Sequence, residues 1–489
     1  MPRETVALPV IVAGRRVEPG ERAVRLAYDS GLELVLHEPG AADARAIVAT
    51  DRAPLRETSI DDITIFFDEV RRAWMTPDNP WRRLALELGS RVTGYARPMI
   101  ESDVNYLGHT LERAKQYDFI ETDLGDPALL DEWRPHKAIE RRCWPKGLIA
   151  HVMVGNVPLA SLFTLYRSLA TKNVTVTKLP SRDPVSALCF ANCIHDVDPG
   201  HPVVRALSTL YWEPGSEVEE AVIDAADVVS VWGQGETIES VKRRVGHGVE
   251  VIEFGPKRSF ALVLDGGGDA DVDEIATKLA YDVAAYDQEA CFSLQEVFAE
   301  ASLADELGEA LARWLPRYSR VVPRRELSPD ASAHLMRARL EGVARGWTVH
   351  APQGNDWTVA VTGGAEELDE HPLARYVFVH PVASAAEAVA TVNRDVQTVS
   401  LEPWSRLAEV RDDLTAAGAD RVVPIGRMTR FRPGFIHDGH YPMREMVRWV
   451  SAEREIGFKY RFTDVSPEAY DERLYGPVRR LAELERQPA

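Results

Sequence analysis

Residues 147–158, GLIAHVMVGNVP, form an apolar run that ends in a Gly-Asn turn and leads into a helical pattern. The same alternation of strand-like and helix-like segments continues as far as residue 260. It predicts strands at Gly147–Val154, Val174–Lys178, Ser208–Trp212, Asp227–Trp232 and Val249–Phe254, and helices at Pro158–Thr171, Pro184–Cys193, Val218–Ala226 and Thr237–Val245. Such alternation is typical of an α/β fold with a doubly wound parallel sheet, whose ligands bind where the strands end.

Asn156 lies in the turn after the first of these strands, just before a helix. Its side-chain amide can donate a hydrogen bond to an oxyanion that develops during acyl transfer. The alternative is that Asn156 only caps the helix, a position that asparagine favours.

The second strand ends in Lys178, and Ser181 and Arg182 follow within four residues. A doubly wound sheet holds the adenine ribose of a dinucleotide at this point. The absence of an acid there, together with Arg182, favours a ribose 2′-phosphate and therefore NADPH. The alternative is a solvated loop with an ordinary surface arginine.

The fourth strand leads into Gly233-Gln234-Gly235, two glycines at the spacing of a phosphate-binding turn. Ile238 stands where a third glycine belongs, so the pattern is partial and also fits a simple turn. We expect this segment to contact a pyrophosphate.

Glu253 closes the last strand beside a glycine turn. A carboxylate in that place can act as a general base. The alternative is a surface acid that pairs with Lys257.

The stretch YDQEACFSLQEVF, residues 286–298, places Cys291 between a helical pattern and a strand-like one. Cysteine is nucleophilic as its thiolate, and a polar, partly exposed loop favours that form. A catalytic thiol here is expected to have a pKa below the ~8.5 of free cysteine and to alkylate quickly. The alternative is a small, buried, apolar residue, as most free cysteines are.

Composition narrows the class of protein. The 489 residues are enough for two to three domains, and 57 basic against 76 acidic residues give a net charge of −19. That balance argues against a nucleic-acid surface or a polybasic membrane anchor.

Four cysteines are too few for a disulfide framework, which fits a reducing compartment. The apolar run at residues 6–13 is too short for a membrane span or a signal peptide. We therefore expect a cytoplasmic protein.

Four segments are predicted along the chain. They are an N-terminal β-rich segment (1–60), an NAD(P)-binding domain with a helical lead-in (61–258), a catalytic cysteine domain (259–426) and a C-terminal return and tail (427–489). In the third segment we expect a helix at Asp271–Tyr286, which delivers Cys291, and a strand at Val297–Glu300.

Cys189, Cys193, His195 and His201 have a faintly metal-like spacing. The two cysteines lie four residues apart on one face of a predicted helix and match no accepted ligand spacing. Core packing is the better interpretation, and no metal is expected.

Taken together, Gly155-Asn156-Val157-Pro158, Lys178, residues 253–257 and Cys291 resemble the aldehyde dehydrogenase superfamily in order and in spacing. Two further stretches, DQEACFSLQ at 287–295 and HDGHYPMREMVRW at 437–449, are most similar to the LuxC-type acyl-CoA reductases. The resemblance runs from about residue 60 to residue 455. It implies an aldehyde dehydrogenase-like fold, with a cofactor domain and an α/β catalytic domain.

The resemblance also implies roles for individual residues. Cys291 is implied as nucleophile, Asn156 with the Cys291 backbone amide as oxyanion donors, Lys178 on the adenine ribose, and Gly233 to Gly235 near the pyrophosphate. The family's second glutamate is missing, because residues 373–381 contain no acid.

The implied activity is NADPH-dependent reduction of an acyl thioester to the aldehyde through a Cys291 acyl-enzyme. The donor is fatty acyl-CoA, an acyl carrier or an acylated partner enzyme, and a homo-oligomer is expected. Two alternatives remain open. One is NAD(P)-dependent oxidation of an aldehyde to the acid with Glu253 activating water, and the other is a non-catalytic nucleotide-binding subunit.

Overall fold

The computed structural model describes residues 3–137, 139–267, 271–366 and 370–453. Its larger compact unit comprises residues 1–127 with 145–448. The smaller unit comprises residues 128–144 and the chain from Trp449. Among the described residues, no helix is both long and apolar enough to cross a membrane.

The first sixty residues form strands and also helices. The elements are β1 (Glu4–Leu8), β2 (Val10–Val12), β3 (Arg15–Val17), β4 (Ala23–Ala27), β5 (Leu32–His37), α1 (Ala41–Val48) and α2 (Ala53–Glu57). β5 lies between β1 and β4 in a three-stranded sheet. The predicted β-rich segment thus also contains two short helices.

Four helices follow before the first large sheet: α3 (Ile60–Met75), α4 (Pro80–Thr93), α5 (Arg97–Thr110) and α6 (Arg113–Leu124). The α3 helix begins after Ser59, whose hydroxyl accepts from the backbone N–H of Asp62. Ile63, Phe66 and Val70 recur at helical spacing and are buried.

The next part of the chain supplies five strands of a seven-stranded sheet and the helices between them. Its elements are a 3₁₀ turn (Pro127–Leu130), β6 (Arg134–His136), β7 (Ile139–Pro145), β8 (Leu148–Val152), α7 (Pro158–Ala170), β9 (Val174–Lys178), α8 (Val185–Val197), α9 (Pro202–Arg205), β10 (Leu207–Leu210), α10 (Glu217–Ala225), β11 (Val228–Trp232), α11 (Gly235–Arg244) and β12 (Glu250–Phe254). The five strands are β8 to β12, and β6 and β7, which come first, are not part of this sheet. The strand order is β12-β11-β8-β9-β10-β2-β3, and β8 to β12 run parallel. The five strands and four helices predicted here are confirmed, with small differences at their ends.

The rest of the chain supplies a second seven-stranded sheet. The strands of this sheet and the helices between them are β13 (Arg258–Val263), α12 (Val272–Ala284), a 3₁₀ turn (Ala285–Gln288), β14 (Leu294–Glu300), α13 (Ala301–Val321), α14 (Pro329–Ala344), β15 (Thr348–His350), β16 (Thr358–Val361), β17 (Tyr376–Val382), α15 (Ala385–Val389), β18 (Val396–Glu402), a 3₁₀ turn (Trp404–Arg406), α16 (Leu407–Ala417) and β19 (Arg421–Pro424). After the sheet come α17 (Pro442–Glu445) and β20 (Val447–Glu453). The strand order in the sheet is β15-β16-β17-β14-β13-β18-β19, with β15 antiparallel to β16.

Helices cover both faces of this second sheet. Leu279 on α12 and Leu311 on α13 belong to one buried apolar cluster with strands β13, β14, β16 and β17. Val410 and Leu414 on α16 belong to another with β13 and β18. Each of these four side chains is at most 3% exposed, so burial of apolar surface holds the layers together.

The smaller unit contains the three-stranded sheet β20-β7-β6. β6 and β7 form an antiparallel hairpin, and the guanidinium of Arg141 lies 5.7 Å from the ring centre of Trp449.

The chain leaves α12 through an unusual turn. The helix ends at Ala284, two residues before the predicted end, because Tyr286, Asp287 and Gln288 adopt left-handed φ angles of 51°, 49° and 68°. Each costs an L-residue about 1–2 kcal/mol. This turn therefore depends on contacts from its surroundings.

A buried ion pair supplies the main contact. The guanidinium of Arg375, which directly precedes β17, lies 2.8 Å from the carboxylate of Asp287, and both side chains are at most 4% exposed. The other Asp287 carboxylate oxygen accepts from the Arg325 backbone N–H at 3.0 Å. Gln288 donates to the carbonyls of Leu294 and Tyr376, each at 2.8 Å.

Replacing Arg375 by Met leaves the Asp287 carboxylate buried without its cation. We expect the free energy of unfolding to fall by about 3–5 kcal/mol, the usual cost of breaking a buried pair. Urea unfolding followed by tryptophan fluorescence measures it. Arg72→Met is the matched control, because Arg72 is 70% exposed in its side chain and Asp68 keeps Arg71. Equal losses in the two variants would contradict the assignment.

Candidate active site

A cavity of about 470 Å³ lies in the larger unit, where β8, β11 and β12 end. Its walls include residues of helix α7, the side chain of Arg182 and five further stretches of chain: Val154–Val157, Trp232–Gln234, Phe254–Lys257, Gln288–Phe292 and the aromatic segment at 431–438. The carboxyl ends of parallel strands thus form the cavity, as the sequence predicts for this fold class.

Cys291 lies three residues beyond the left-handed turn, on the cavity wall. Its carbonyl accepts from the Ser259 hydroxyl at 2.7 Å, which fixes the backbone. Its sulfur lies 3.0 Å from Nε2 of Gln397, which donates to it.

The environment of this thiol differs from the expectation. The pKa of Cys291 is raised to about 12, mainly by burial and next by the nearby Asp438 carboxylate, while the hydrogen bond from Gln397 lowers it. The predicted pKa below that of free cysteine is therefore wrong. Cys291 itself is partly exposed, as the sequence predicts, but Ala290 and Phe292 on either side of it are buried.

Asn156 reaches the same cavity. Its Nδ2 donates to the carbonyl of Glu289 at 2.8 Å, and one hydrogen of that nitrogen remains for a ligand. Gly155 is required beside it, since a Cβ there would lie 2.7 Å from Cβ of Arg182. The structure thus brings Asn156 and Cys291 to one site.

Glu289 is held by three side chains. Its carboxylate pairs with Arg182 and Arg325, and the Tyr95 hydroxyl lies 2.7 Å from one of its oxygens. Because the Glu289 carbonyl holds Asn156, this cluster also fixes the amide. Arg182 therefore lies in the cavity wall and not on a solvated loop.

The predicted nucleotide residues separate into two groups. Gly233 and Gln234 line the cavity beside Arg182, whereas Lys178, Ser181 and Gly235 do not. Gly235 begins α11, and a Cβ there would meet no atom within 4 Å. The open N-terminus of this helix suits the pyrophosphate of a dinucleotide.

Lys178 and Ser181 follow the end of β9. Burial lowers the pKa of Lys178, whose ammonium lies 5.6 Å from the ring centre of Tyr211. Ser181 is exposed, and its carbonyl accepts from the Tyr28 hydroxyl at 2.7 Å. A neutral hydroxyl therefore stands at the expected ribose position.

Glu253 is not brought to Cys291. It lies 3.0 Å from Lys242 on α11, is partly exposed, and is not among the residues that line the cavity. Strand alternation turns Phe254 inward and Glu253 away. Lys257, its expected partner, instead lies 3.3 Å from Asp420.

Of the metal-like set, the two cysteines are buried as core residues are, whereas His195 and His201 are partly exposed. Cys189 and Cys193 on α8 are at most 1% exposed, and no group of three possible metal ligands occurs among the residues that the structure describes.

Sequence reasoning missed several residues of the site. Gln397 on β18 contacts both Cys291 and Asp438, at 3.0 and 2.7 Å. The His437 ring packs edge-on against Trp232 and Phe254, with centroids 5.0 Å apart in each case. The 437–449 stretch carried the family resemblance, and that was the available signal for His437 and Asp438.

The model of one protein family, acyl-CoA reductase (LuxC), matches residues 55–449. The chain belongs to this family. It is therefore an enzyme, an aldehyde-forming oxidoreductase of the acyl-CoA reductase type.

Relatives and solved structures agree with that membership. The chain is 31% identical to a long-chain acyl-protein thioester reductase of Vibrio harveyi, over 94% of this chain and 96% of that protein. It is 31% identical to one of Photorhabdus luminescens, over 86% and 87%. Aldehyde dehydrogenase 21 of Physcomitrella patens superposes with a TM-score of 0.73 at 16% identity, covering 94% and 100%. A Mycobacterium tuberculosis aldehyde dehydrogenase complexed with NAD⁺ gives 0.71 at 16% identity, covering 94% and 100%. The predicted aldehyde dehydrogenase-like fold is confirmed.

Replacing Gln397 by Met removes the amide that donates to the Cys291 sulfur. We expect iodoacetamide to alkylate Cys291 at least about tenfold more slowly at a fixed pH, since a hydrogen bond to a charged group contributes about 1.5–3 kcal/mol. Peptide mass spectrometry isolates the Cys291 rate. The control is Gln295→Met, a residue of the same cavity. Equal rates in the two variants would show that Gln397 does not stabilise the thiolate.

Proposed function

We propose that this protein reduces a long-chain acyl thioester to the aldehyde through a Cys291 acyl-enzyme, with NADPH as the hydride donor. The observation that carries the proposal is the placement of Cys291 and Asn156 on one cavity in a member of the acyl-CoA reductase family.

The chain's own residues supply the acyl-transfer chemistry. The Cys291 sulfur attacks the thioester carbonyl, and the Asn156 amide with the Cys291 backbone N–H stabilises the oxyanion, each donor by roughly 3 kcal/mol. The carrier thiol leaves, and the acyl group remains on Cys291. A bound nicotinamide nucleotide supplies the hydride that reduces this thioester, and Cys291 is released with the aldehyde.

The position of Glu253 favours reduction over aldehyde oxidation. Oxidation needs a base that activates water beside the acyl-enzyme, and the residue predicted for that task pairs with Lys242 outside the cavity. Because Glu253 lies outside the cavity, the acyl-enzyme is kept from the water that this residue would activate. Glu253 is left without a catalytic step in this mechanism.

NADPH is proposed on Lys178 and Ser181. A cation and a neutral hydroxyl at the end of β9 accommodate a ribose 2′-phosphate, where a carboxylate would repel it. Arg182 is not assigned to the 2′-phosphate, because its guanidinium already pairs with Glu289. In this proposal the first large sheet is the nucleotide-binding domain (61–258) and the second is the catalytic domain (259–426).

The long acyl chain is proposed on the apolar end of the cavity. Leu159, Ala160 and Phe163 lie on one face of α7, and Phe431 and Phe435 face them across the cavity. Each methylene group of the substrate that is buried against such rings and aliphatic groups stabilises the bound state by about 0.8 kcal/mol. The donor is the thioester of coenzyme A or of a protein, and the named relatives are acyl-protein thioester reductases.

Turnover with myristoyl-CoA tests the function. Wild type is expected to consume NADPH faster than NADH and to release an aldehyde that a hydrazine traps, and Cys291→Ala is expected to do neither. An acid as the product would favour the oxidative alternative, and no acylation of Cys291 in an intact-mass spectrum would overturn the proposal for this donor.

A larger side chain at Ala160 tests the acyl site. In Ala160→Phe the ring takes up part of the apolar end, and exclusion of only two methylene groups lowers kcat/KM for myristoyl-CoA by about tenfold. Hexanoyl-CoA is the internal control and is expected to react as in wild type. Equal losses with both substrates would place the chain elsewhere.

A further inference from the structure

The Cys291 thiol needs a proton acceptor. Burial raises its pKa to about 12, so at neutral pH the sulfur carries a proton, and only the thiolate attacks efficiently. Gln397 donates to the sulfur and cannot take a proton from it. A base within the cavity must do so.

Most ionisable groups near the site are unsuited to this. Glu253 lies outside the cavity, and Glu289 is neutralised by Arg182 and Arg325. His437 lines the cavity, but burial, with the charges of Arg167 and Arg421, lowers its pKa to about 3.

Asp438 is placed differently. One of its carboxylate oxygens lies 2.7 Å from Nε2 of Gln397, the same nitrogen that lies 3.0 Å from the Cys291 sulfur. Sharing one small donor keeps carboxylate and thiol within reach of a proton transfer, directly or through one water. Its backbone is left-handed, with φ 49°, between His437 and His440, which form a backbone bridge. The carboxylate is thus held toward the thiol.

The surroundings tune this acid for proton transfer. Burial is the main cause that raises the pKa of Asp438 to about 6. Gln397 and the charges of Lys257 and His440 lower this pKa, and the Asp420 carboxylate raises it. A carboxyl group that titrates near neutrality can both accept and return a proton.

We propose that Asp438 is the general base and general acid of the acyl-transfer step, an inference that rests on the proposed function. The carboxylate takes the proton from the Cys291 sulfur as the S–C bond forms. It returns that proton to the sulfur of the leaving thiol as the second S–C bond breaks. After hydride transfer, Cys291 leaves the aldehyde as a thiolate and regains a proton from water through Asp438.

The test is the rate of Cys291 acylation by myristoyl-CoA without nucleotide, followed by intact mass. In Asp438→Asn we expect a loss of about 10²–10⁴-fold, the usual range for removal of a general acid–base group. Asparagine keeps an acceptor for Gln397 and tolerates the left-handed backbone. The matched control is Asp420→Asn, which removes a carboxylate from Lys257 without touching Gln397. It is expected to acylate within a few-fold of wild type.

The pH profile and chemical rescue separate this role from a structural one. In wild type the acylation rate rises with pH through about 6, because the base must be ionised, and this limb is expected to vanish in Asp438→Asn. Asp438→Gly opens room for a small carboxylate, so formate is expected to restore its rate in a saturable way and chloride is not.

The outcomes are distinct. Asp438→Asn that acylates like wild type, or keeps the limb near pH 6, overturns the inference. Wild type that acylates but forms no aldehyde with NADPH overturns the proposed reduction and leaves Asp438 to be judged on acylation. Wild type that is never acylated overturns both.

Discussion

The buried ion pair between Asp287 and Arg375 is the contact on which the site depends. Three successive left-handed residues are unfavourable for an L-peptide, so the turn at 286–288 exists only because fixed partners hold it. Arg375 directly precedes β17, and Arg325 lies between α13 and α14, so two segments that are distant in sequence from the turn hold it. Cys291 lies three residues further on, and its position follows from that turn.

The same preference for fixed polar contacts extends into the cavity. Asn156 is oriented by the Glu289 carbonyl, and Glu289 by Arg182, Arg325 and Tyr95. Donors aimed before the reaction cost no reorganisation when charge develops. The site is thus arranged by neighbours that themselves never touch the reacting atoms.

The five parallel strands of the first large sheet could be predicted because they are short apolar runs separated by helices with clear starts. One central strand of the other sheet, β18, was not predicted. In Val396–Glu402 nearly every residue is buried, and Gln397, Thr398 and Ser400 are polar, so neither alternation nor a pure apolar run marks the strand. Its partners are more than a hundred residues away in the sequence: Gln397 contacts Cys291, and the backbone N–H of Thr398 donates to the Ser259 hydroxyl. Cys291 and Asn156 were found by local pattern and resemblance, whereas Gln397 belongs to the site only through folding.

The acids around Cys291 show why burial, rather than residue type, decides their roles. Glu253, Glu289 and Asp438 are all carboxylates near the site in sequence or in space, yet their partners differ. Glu253 faces outward to Lys242, and Glu289 pairs with two arginines. Asp438 is only partly exposed and accepts from one neutral amide, so desolvation raises its pKa toward neutrality. Desolvation raises the Cys291 pKa as well, so the thiol that keeps its proton and the carboxylate that can accept it line the same cavity. In the proposed mechanism a thioester that enters from the apolar end meets the nucleophile and its proton acceptor together.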